Sequence, residues 1–231
     1  MKKVSVIGAT GFVGKQVVKE LSDRGYAVIA IARDITKVEQ AANVTAARGD
    51  VNNIEELSKI LEGSDAVINT FNPGWTNPNL YDDFLNGSKN IEKAVEKSGV
   101  KRLITVGGAG SLFIGDQQLV DGPDFPADIK PGALAARDYL NEIKKNDTLD
   151  WTFFSPAIEM HPGTAGVRKG SYRTALDNPV FDENGRSILS VEDVAVALVD
   201  ELEQNNFVKQ RFIRYSQFFL VIKSKNEKIG F

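Results

Sequence analysis

The stretch that decides the fold of this chain is KVSVIGATGFVG, residues Lys3–Gly14. A short apolar run, Val4–Ile7, comes directly before three glycines at the spacing Gly-x-x-Gly-x-x-Gly. Apolar side chains then recur at helical spacing, at Val13, Val17 and Leu21. This order predicts a strand, a tight turn and a helix.

The glycines that follow the apolar run predict a site for a dinucleotide. A turn without side chains lets the backbone approach a diphosphate, whose charge is stabilised by amide groups and by the positive end of the helix dipole. We therefore expect a nicotinamide dinucleotide against this turn. The residues expected to hold it are Gly8, Thr10, Gly11, Phe12, Val13 and Gly14. The alternative is that the glycines only interrupt a strand–helix turn.

The composition and the net charge limit the partners and the kinds of site that the chain can have. The chain has 231 residues, of which 42% are hydrophobic and 26% charged, and its net charge is −3. This balance does not favour nucleic acid or an anionic membrane as a partner. The sequence contains no cysteine and one histidine, which excludes disulfides, cysteine catalysis and a multi-histidine metal site. We predict no catalytic metal.

The N-terminal residues predict neither a signal peptide nor a membrane anchor. The first apolar run stops at Ile7, and no apolar run reaches the roughly 20 residues that span a bilayer. We expect a soluble, cytoplasmic protein with a small-molecule partner, and the residues imply no particular oligomeric state.

Short apolar strands alternate with amphipathic helices over most of the chain. Strands are predicted at 4–7, 27–32, 44–48, 66–70, 102–106, 151–155, 171–175 and 207–215, and helices at 11–24, 52–61, 81–98, 132–145 and 191–204. This alternation is typical of an α/β fold with a doubly wound, parallel sheet of the Rossmann type. We expect one domain over residues 1–231, with a small loop-rich C-terminal substrate region.

Two irregular regions interrupt the alternation, at 107–131 and 156–186. Both are too long for ordinary connections, and both follow the carboxyl ends of predicted strands, where open parallel sheets bind ligands. We expect these regions to cover the substrate. The alternative is that they are surface excursions without a role.

The end of the second predicted strand favours NADP as the cofactor. Arg33 occupies the place where a ribose hydroxyl or a 2′-phosphate should lie, and Lys37 follows one helical turn later. Both could pair with a 2′-phosphate. NAD stays possible, because Asp34 could bind a ribose hydroxyl, and the two cations could simply be solvated.

The ends of the next three predicted strands supply the remaining cofactor candidates. Asp50 could accept a hydrogen bond from the adenine amino group while Val51 packs on the ring, although Asp50 could also cap the next helix. The nicotinamide half is expected to lie against residues Asn69, Thr70, Phe71, Val106, Gly107 and Gly108.

The glycine motif Gly8–Gly14, Arg33, Gly49–Val51 and the run Gly107–Ser111 together resemble the atypical short-chain dehydrogenase/reductase group. The resemblance is to its NmrA-like NAD(P)-binding branch, which includes proteins of the NADH-flavin reductase type and domains labelled NAD-dependent epimerase/dehydratase. It extends to about Tyr215 and implies NAD(P) binding and oxidoreductase chemistry.

One departure from that group concerns its acid/base pair. Most of its enzymes use a tyrosine with a lysine four residues later, which lowers the tyrosine pKa. The chain has five tyrosines, and none has a lysine at that spacing. Tyr139 is followed by Lys144, five residues later and about 140° further round a helix. Carbonyl or alcohol chemistry by the usual route is therefore not expected.

A reductase of small planar acceptors needs no such pair. A flavin accepts hydride at a ring nitrogen and takes its proton from water, and quinones behave similarly. The residues proposed to line the acceptor pocket are Phe71, Trp75, Phe113 and Pro156, with Ser111 and His161 as candidate catalytic groups. Each could instead be ordinary packing, a turn hydroxyl or a surface histidine.

The missing pair is equally consistent with a second function, which the NmrA-like resemblance suggests. A redox sensor binds NAD(P) and signals through a protein partner without turnover. An enzyme needs open space beside the nicotinamide, whereas a sensor could have that space filled.

Overall fold

The computed structural model describes residues 2–216, which form one eight-stranded sheet and a small hairpin. The strands are β1 Lys3–Ile7, β2 Ala27–Ala32, β3 Val44–Arg48, β4 Ala66–Asn69, β5 Arg102–Val106, β6 Phe113–Ile114, β7 Gln117–Gln118, β8 Asp150–Ser155, β9 Tyr172–Ala175 and β10 Gln210–Ser216. The sheet order is β3-β2-β1-β4-β5-β8-β10-β9, and β6 pairs with β7 apart from it. Every neighbouring pair in the large sheet is parallel except β10–β9.

Helices cover both faces of this sheet. They are α1 Phe12–Asp23, α2 Ile54–Leu61, α3 Leu80–Ser98, α4 Lys130–Ile143 and α5 Val191–Gln204. Helices α1 and α5 pack together on one face, and α2, α3 and α4 pack on the other. The prediction of a doubly wound, parallel sheet is confirmed.

The apolar runs in the strands exist because both faces of the sheet are buried. Successive residues of a strand point to opposite faces, so Leu103 and Phe153 enter the core under α2, α3 and α4, while Ile104 and Phe154 enter the core under α1 and α5. All four side chains are fully buried. By packing under the helices on both faces, these side chains fix the positions of the strand ends.

Local polar residues begin two of the helices. Asn53 accepts a hydrogen bond from the Glu56 amide at the start of α2, and Ser190 does the same for the Asp193 amide at the start of α5. Asp50 does not cap α2, because its carboxylate instead accepts from the Asn52 amide at 2.9 Å. The alternative interpretation of Asp50 as that cap is therefore wrong.

The two irregular regions differ in what they contain. The first, 107–131, includes the β6–β7 hairpin and two short 3-10 turns, and the second, 156–186, includes β9. None of the helices within residues 2–216 combines the length and apolar character that a bilayer crossing requires. The predicted single domain also includes residue 1 and residues 217–231, which lie outside the described part of the chain.

Candidate functional site

The glycine turn after β1 is built so that the backbone lies close to its neighbours. Gly8 has a φ of +80°, which favours glycine, and a Cβ there would lie 2.9 Å from the Thr70 carbonyl oxygen. The amides of Gly8 and Ala9 both donate to the Ile31 carbonyl at 3.1 Å. The turn is thereby fastened between the ends of β2 and β4.

Helix α1 presents free backbone donors next to this turn. Its N-cap is Gly11, which has no side chain to bond the first amides, unlike Asn53 on α2 and Ser190 on α5. The first amides of a helix have no partner inside the helix. No acidic side chain occupies the first turn of α1. The arrangement fits a bound diphosphate, because both the amides and the helix dipole attract an anion.

A cavity of about 1390 Å³ extends from this turn along the carboxyl edge of the sheet. We call the lining from 7–13, 31–33 and 49–57 the glycine-turn half, and the lining from 70–86, 106–136 and 156–162 the loop half. The volume exceeds the roughly 300–1,000 Å³ of a pocket for one drug-sized ligand. The cavity therefore has room for a dinucleotide and a second molecule.

In the glycine-turn half, Arg33 lies exposed at the end of β2 and lines the cavity. Within residues 2–216 it makes no ion pair and no side-chain hydrogen bond. Lys37 lies outside the lining, and its ammonium is 3.4 Å from the Asp34 carboxylate. Hydrogen bonds from Thr36 hold the pKa of Asp34 below its ordinary value. Arg33 is thus the cation positioned to meet a ligand.

The ends of β4 and β5 form the floor between the two halves. The Thr70 hydroxyl donates to the Ile7 carbonyl at 2.8 Å, and Phe71 stacks on Phe84 with ring centroids 6.5 Å apart. A Cβ at Gly107 would overlap the buried ring of Phe153. The residues predicted at these strand ends line the cavity, with one exception.

That exception is Asn69, which is only 2% exposed and does not reach the cavity. Its side chain donates to the Thr105 hydroxyl at 3.0 Å and accepts from the Phe71 amide at 2.9 Å. The first contact joins β4 to β5, and the second fixes the chain as it leaves β4. Asn69 holds these strand ends together, and its polar atoms are already paired.

Gly14 and Phe113 also lie outside the lining. Gly14 is buried under the turn, where it leaves room for the Gly8 carbonyl. Phe113 belongs to the β6–β7 hairpin, which the Asp177 carbonyl holds through the Phe113 amide. The neighbouring Ile114 lines the cavity in its place.

Ser111, a candidate catalytic hydroxyl, is 2% exposed and does not line the cavity. Arg211 of β10 donates to its hydroxyl at 3.1 Å and to its carbonyl at 2.8 Å. The second terminal nitrogen of the Arg211 guanidinium pairs with Asp177. Ser111 therefore joins the loop after β5 to β10 through Arg211, and its hydroxyl does not line the cavity.

We expect Ser111→Ala to lower the free energy of unfolding by about 1–2 kcal/mol, because a buried guanidinium loses one acceptor. Any catalytic rate of the protein should change by less than about threefold, since the hydroxyl does not reach the cavity. Urea unfolding and steady-state rates measure the two effects. A stable variant with a rate loss of 100-fold or more would contradict this assignment.

His161, Pro156 and Trp75 all lie on the loop half of the cavity, as expected. The Nδ1 atom of His161 accepts from the Gly163 amide at 3.1 Å. In the neutral ring this bond assigns the proton to Nε2, which is then available as a donor. Trp75 is 59% exposed and packs beside Gly132 at the start of α4.

Tyr139, the tyrosine with the most similar spacing to an acid/base pair, lies in the core. It is 1% exposed and packs against Phe153, with ring centroids 6.5 Å apart. Burial raises the pKa of its phenol well above the ordinary value. Among residues 2–216, no tyrosine and no lysine lines the cavity. No group of three or more histidine or acidic side chains in the described chain could hold a metal ion.

Several lining residues were not expected from the sequence. They are mainly apolar or amide side chains from the loop half, including Asn72, Asn86, Ile114, Gln117, Gln118, Leu119, Phe125, Ile129, Ile158 and Met160. Most of them lie in the two irregular regions, whose general position was expected. Of the second region, only 156–162 lines the cavity. Residues 168–172 are instead bonded to α1 and α5.

A sequence model of the family described as NAD(P)H-binding matches residues 8–205. The uncharacterized protein YwnB of Bacillus subtilis strain 168 is 34% identical over 218 residues, covering 93% of this chain and 99% of YwnB.

Two solved structures resemble the chain over nearly their whole length. A proposed epimerase from Bacteroides thetaiotaomicron superposes with a TM-score of 0.87 at 38% identity, covering 94% of this chain and 98% of that one. A proposed NADH-flavin reductase from Streptococcus pneumoniae TIGR4 superposes with a TM-score of 0.81 at 36% identity, covering 94% and 100%. Proteins of this shape and similarity thus differ in the activity proposed for them.

Proposed function

The chain belongs to the NAD(P)H-binding family, and from that premise we propose that it is an NAD(P)H-dependent reductase of small planar acceptors of the flavin or quinone type. The observation that carries the proposal is the composition of the loop half. It offers open space, aromatic and apolar walls and a histidine donor, without a tyrosine–lysine pair. Such a site suits acceptors that need orientation more than a dedicated acid.

The glycine-turn half would hold the cofactor. The amides of Thr10, Phe12 and Val13 would bind its diphosphate, whereas the Gly11 amide already donates to the Gly8 carbonyl. Asp50 and Val51 would contact the adenine, and Arg33 a 2′-phosphate. When bound, NAD(P)H supplies a hydride, that is two electrons and one hydrogen nucleus, and the acceptor takes one proton from water to complete its reduction.

The loop half would orient the acceptor. Phe71 and Trp75 supply flat faces on which a planar ring can stack, and Pro156 closes the side next to β8. His161 would donate a hydrogen bond from Nε2 to a carbonyl of the acceptor. The regions 107–131 and 156–162 would keep bulk water from the two rings.

We expect Arg33→Ala to separate the two cofactors. Loss of a charge-assisted contact to the 2′-phosphate should weaken NADPH by about 1.5–3 kcal/mol and leave NADH nearly unchanged. Fluorescence titration with each cofactor measures the effect. Lys37→Ala is the matched control, because Lys37 pairs with Asp34 outside the cavity. Equal weakening of NADPH and NADH would refute the role of Arg33 and the proposed preference for NADP.

Titration followed by an acceptor screen on the same sample tests the function. The protein should bind NADPH and then oxidise it in the presence of riboflavin, FMN, FAD or 1,4-naphthoquinone, faster than the protein-free mixture. Tight binding without turnover of any acceptor would support the sensor instead. The open cavity favours the reductase, because a sensor does not require that space.

A further inference from the structure

Charge is unevenly distributed along the cavity. Among the described lining residues, the formally charged side chains are Arg33 and Asp50 in the glycine-turn half and Asp83 and Asp124 in the loop half. The loop half thus has two carboxylates and no lysine or arginine within residues 2–216. An anion placed there would meet like charge and no ion-pair partner.

Helix α4 carries two cations, Lys130 and Arg137, and neither lines the cavity. Arg137 lies outside the lining and is paired with Asp121 at 2.9 Å and with Asp138 at 3.1 Å. The first turn of α4 carries no acidic side chain, but its second residue, Pro131, has no amide to donate. The first turn of α3 carries Asp82 and Asp83. These carboxylates oppose the attraction that a helix N-terminus otherwise offers to an anion.

The rim of the loop half is apolar. Trp75, Ile114, Ile129 and Ile158 are 59%, 52%, 37% and 42% exposed, and all four line the cavity. Large apolar side chains grouped around an opening mark a surface that a ligand covers. The amides of Asn72, Asn86, Gln117 and Gln118 supply neutral hydrogen-bond groups on the same walls.

From the charge distribution and the apolar rim, we propose that the loop half selects uncharged planar acceptors and rejects anionic ones. A flavin ring without phosphate or an unsubstituted quinone would be a good acceptor, and FMN, FAD and sulfonated quinones poor ones. This inference rests on the proposed reductase function. Asp83 and Asp124 are the residues that determine the specificity, through repulsion of the anion rather than contact with the ring.

Riboflavin and FMN form the sharpest test, because they share one ring system and differ by a phosphate. Their dissociation constants are measured by equilibrium dialysis on protein saturated with NADP⁺, so that no turnover is needed. We expect riboflavin to bind about tenfold or more tightly than FMN at low ionic strength. The ratio of the FMN dissociation constant to the riboflavin dissociation constant should fall in 0.5 M salt, because salt screens the repulsion.

Two double variants then locate the effect. Asp83→Asn with Asp124→Asn should reduce the ratio by about threefold or more. The asparagine at 83 can still accept from Asn77, which now donates to Asp83 at 2.7 Å. The matched control is Asp82→Asn with Asp128→Asn, which makes the same change in net charge on the same helix turn and loop but outside the lining. It should leave the ratio within about twofold.

The outcomes separate this inference from the proposed function. FMN that binds and is reduced as well as riboflavin overturns the charge selection and leaves the reductase intact. The charge selection is also overturned if the ratio of the FMN and riboflavin dissociation constants changes neither with salt nor in the variant at positions 83 and 124. The salt series uses the wild-type protein, so its result does not depend on the folding of a variant. If neither riboflavin nor 1,4-naphthoquinone binds or is reduced while NADPH binds, both proposals fail.

Discussion

Replacement of Gly14 by alanine is expected to abolish cofactor binding, with the dissociation constant for NADPH rising by about 100-fold or more. The added Cβ would overlap the Gly8 carbonyl oxygen and lie 2.8 Å from the Thr70 hydroxyl. Neither neighbour can move freely, because Gly8 is bonded to Ile31 and Thr70 to Ile7. The turn must therefore open and carry the amides of α1 away from the diphosphate.

The control for this prediction is Gly99→Ala. Gly99 ends α3 with a φ of +80°, and a Cβ there meets nothing within 4 Å. Its replacement should cost about 1 kcal/mol of stability through backbone strain alone, with NADPH binding unchanged. Thermal unfolding and fluorescence titration of both variants separate the two effects. A Gly14→Ala protein with wild-type affinity for NADPH would show that the turn is not the binding site.

Of the variants described, Glu201→Ala should lower the free energy of unfolding the most, by about 3–5 kcal/mol. The reason is that Arg102 would be left in the core as a charge without an ion-pair partner. The Glu201 carboxylate is fully buried and accepts from Arg102 at 2.7 Å. It also accepts from the Thr152 hydroxyl and from the Phe207 amide. Burial lowers the pKa of Arg102, and the charge of Glu201 opposes that shift. Urea unfolding gives the change in free energy and its denaturant slope.

Two further variants test the cause of this loss. Asp23→Ala removes the partner of Lys19 in a pair whose side chains are 61% and 58% exposed, and it should cost less than about 1 kcal/mol. The double change Arg102→Met with Glu201→Leu should be more stable than Glu201→Ala, since no charge is left buried. If Glu201→Ala costs no more than Asp23→Ala, the buried pair does not stabilise the fold.

The strands and helices outside the two irregular regions were predictable, because the apolar patterns that specify them lie within each element. The bounds expected for β2, β3, β5 and α5 are those observed, since each element is a clean apolar or amphipathic run that ends at glycine or polar residues. The β6–β7 hairpin was not expected. Its strands have only two residues each and lie within the irregular region 107–131.

The two halves of the site differ in the same way. The glycine turn, Arg33 and Asp50 follow directly from the order of strand, turn and helix. Ser111 could not be assigned correctly, because its partner Arg211 lies 100 residues away. The lining from the loops had no periodicity to identify it, so only its location at the strand ends could be expected.

The contrast between a backbone-built turn and a wall of loop side chains has an evolutionary consequence. Substitutions along the loops can change the reactant without disturbing the turn, whereas few changes at Gly8 or Gly14 would be neutral. Descendants of one ancestor should therefore keep the coenzyme and diverge in reactant. The differing activities proposed for the two solved relatives accord with that history.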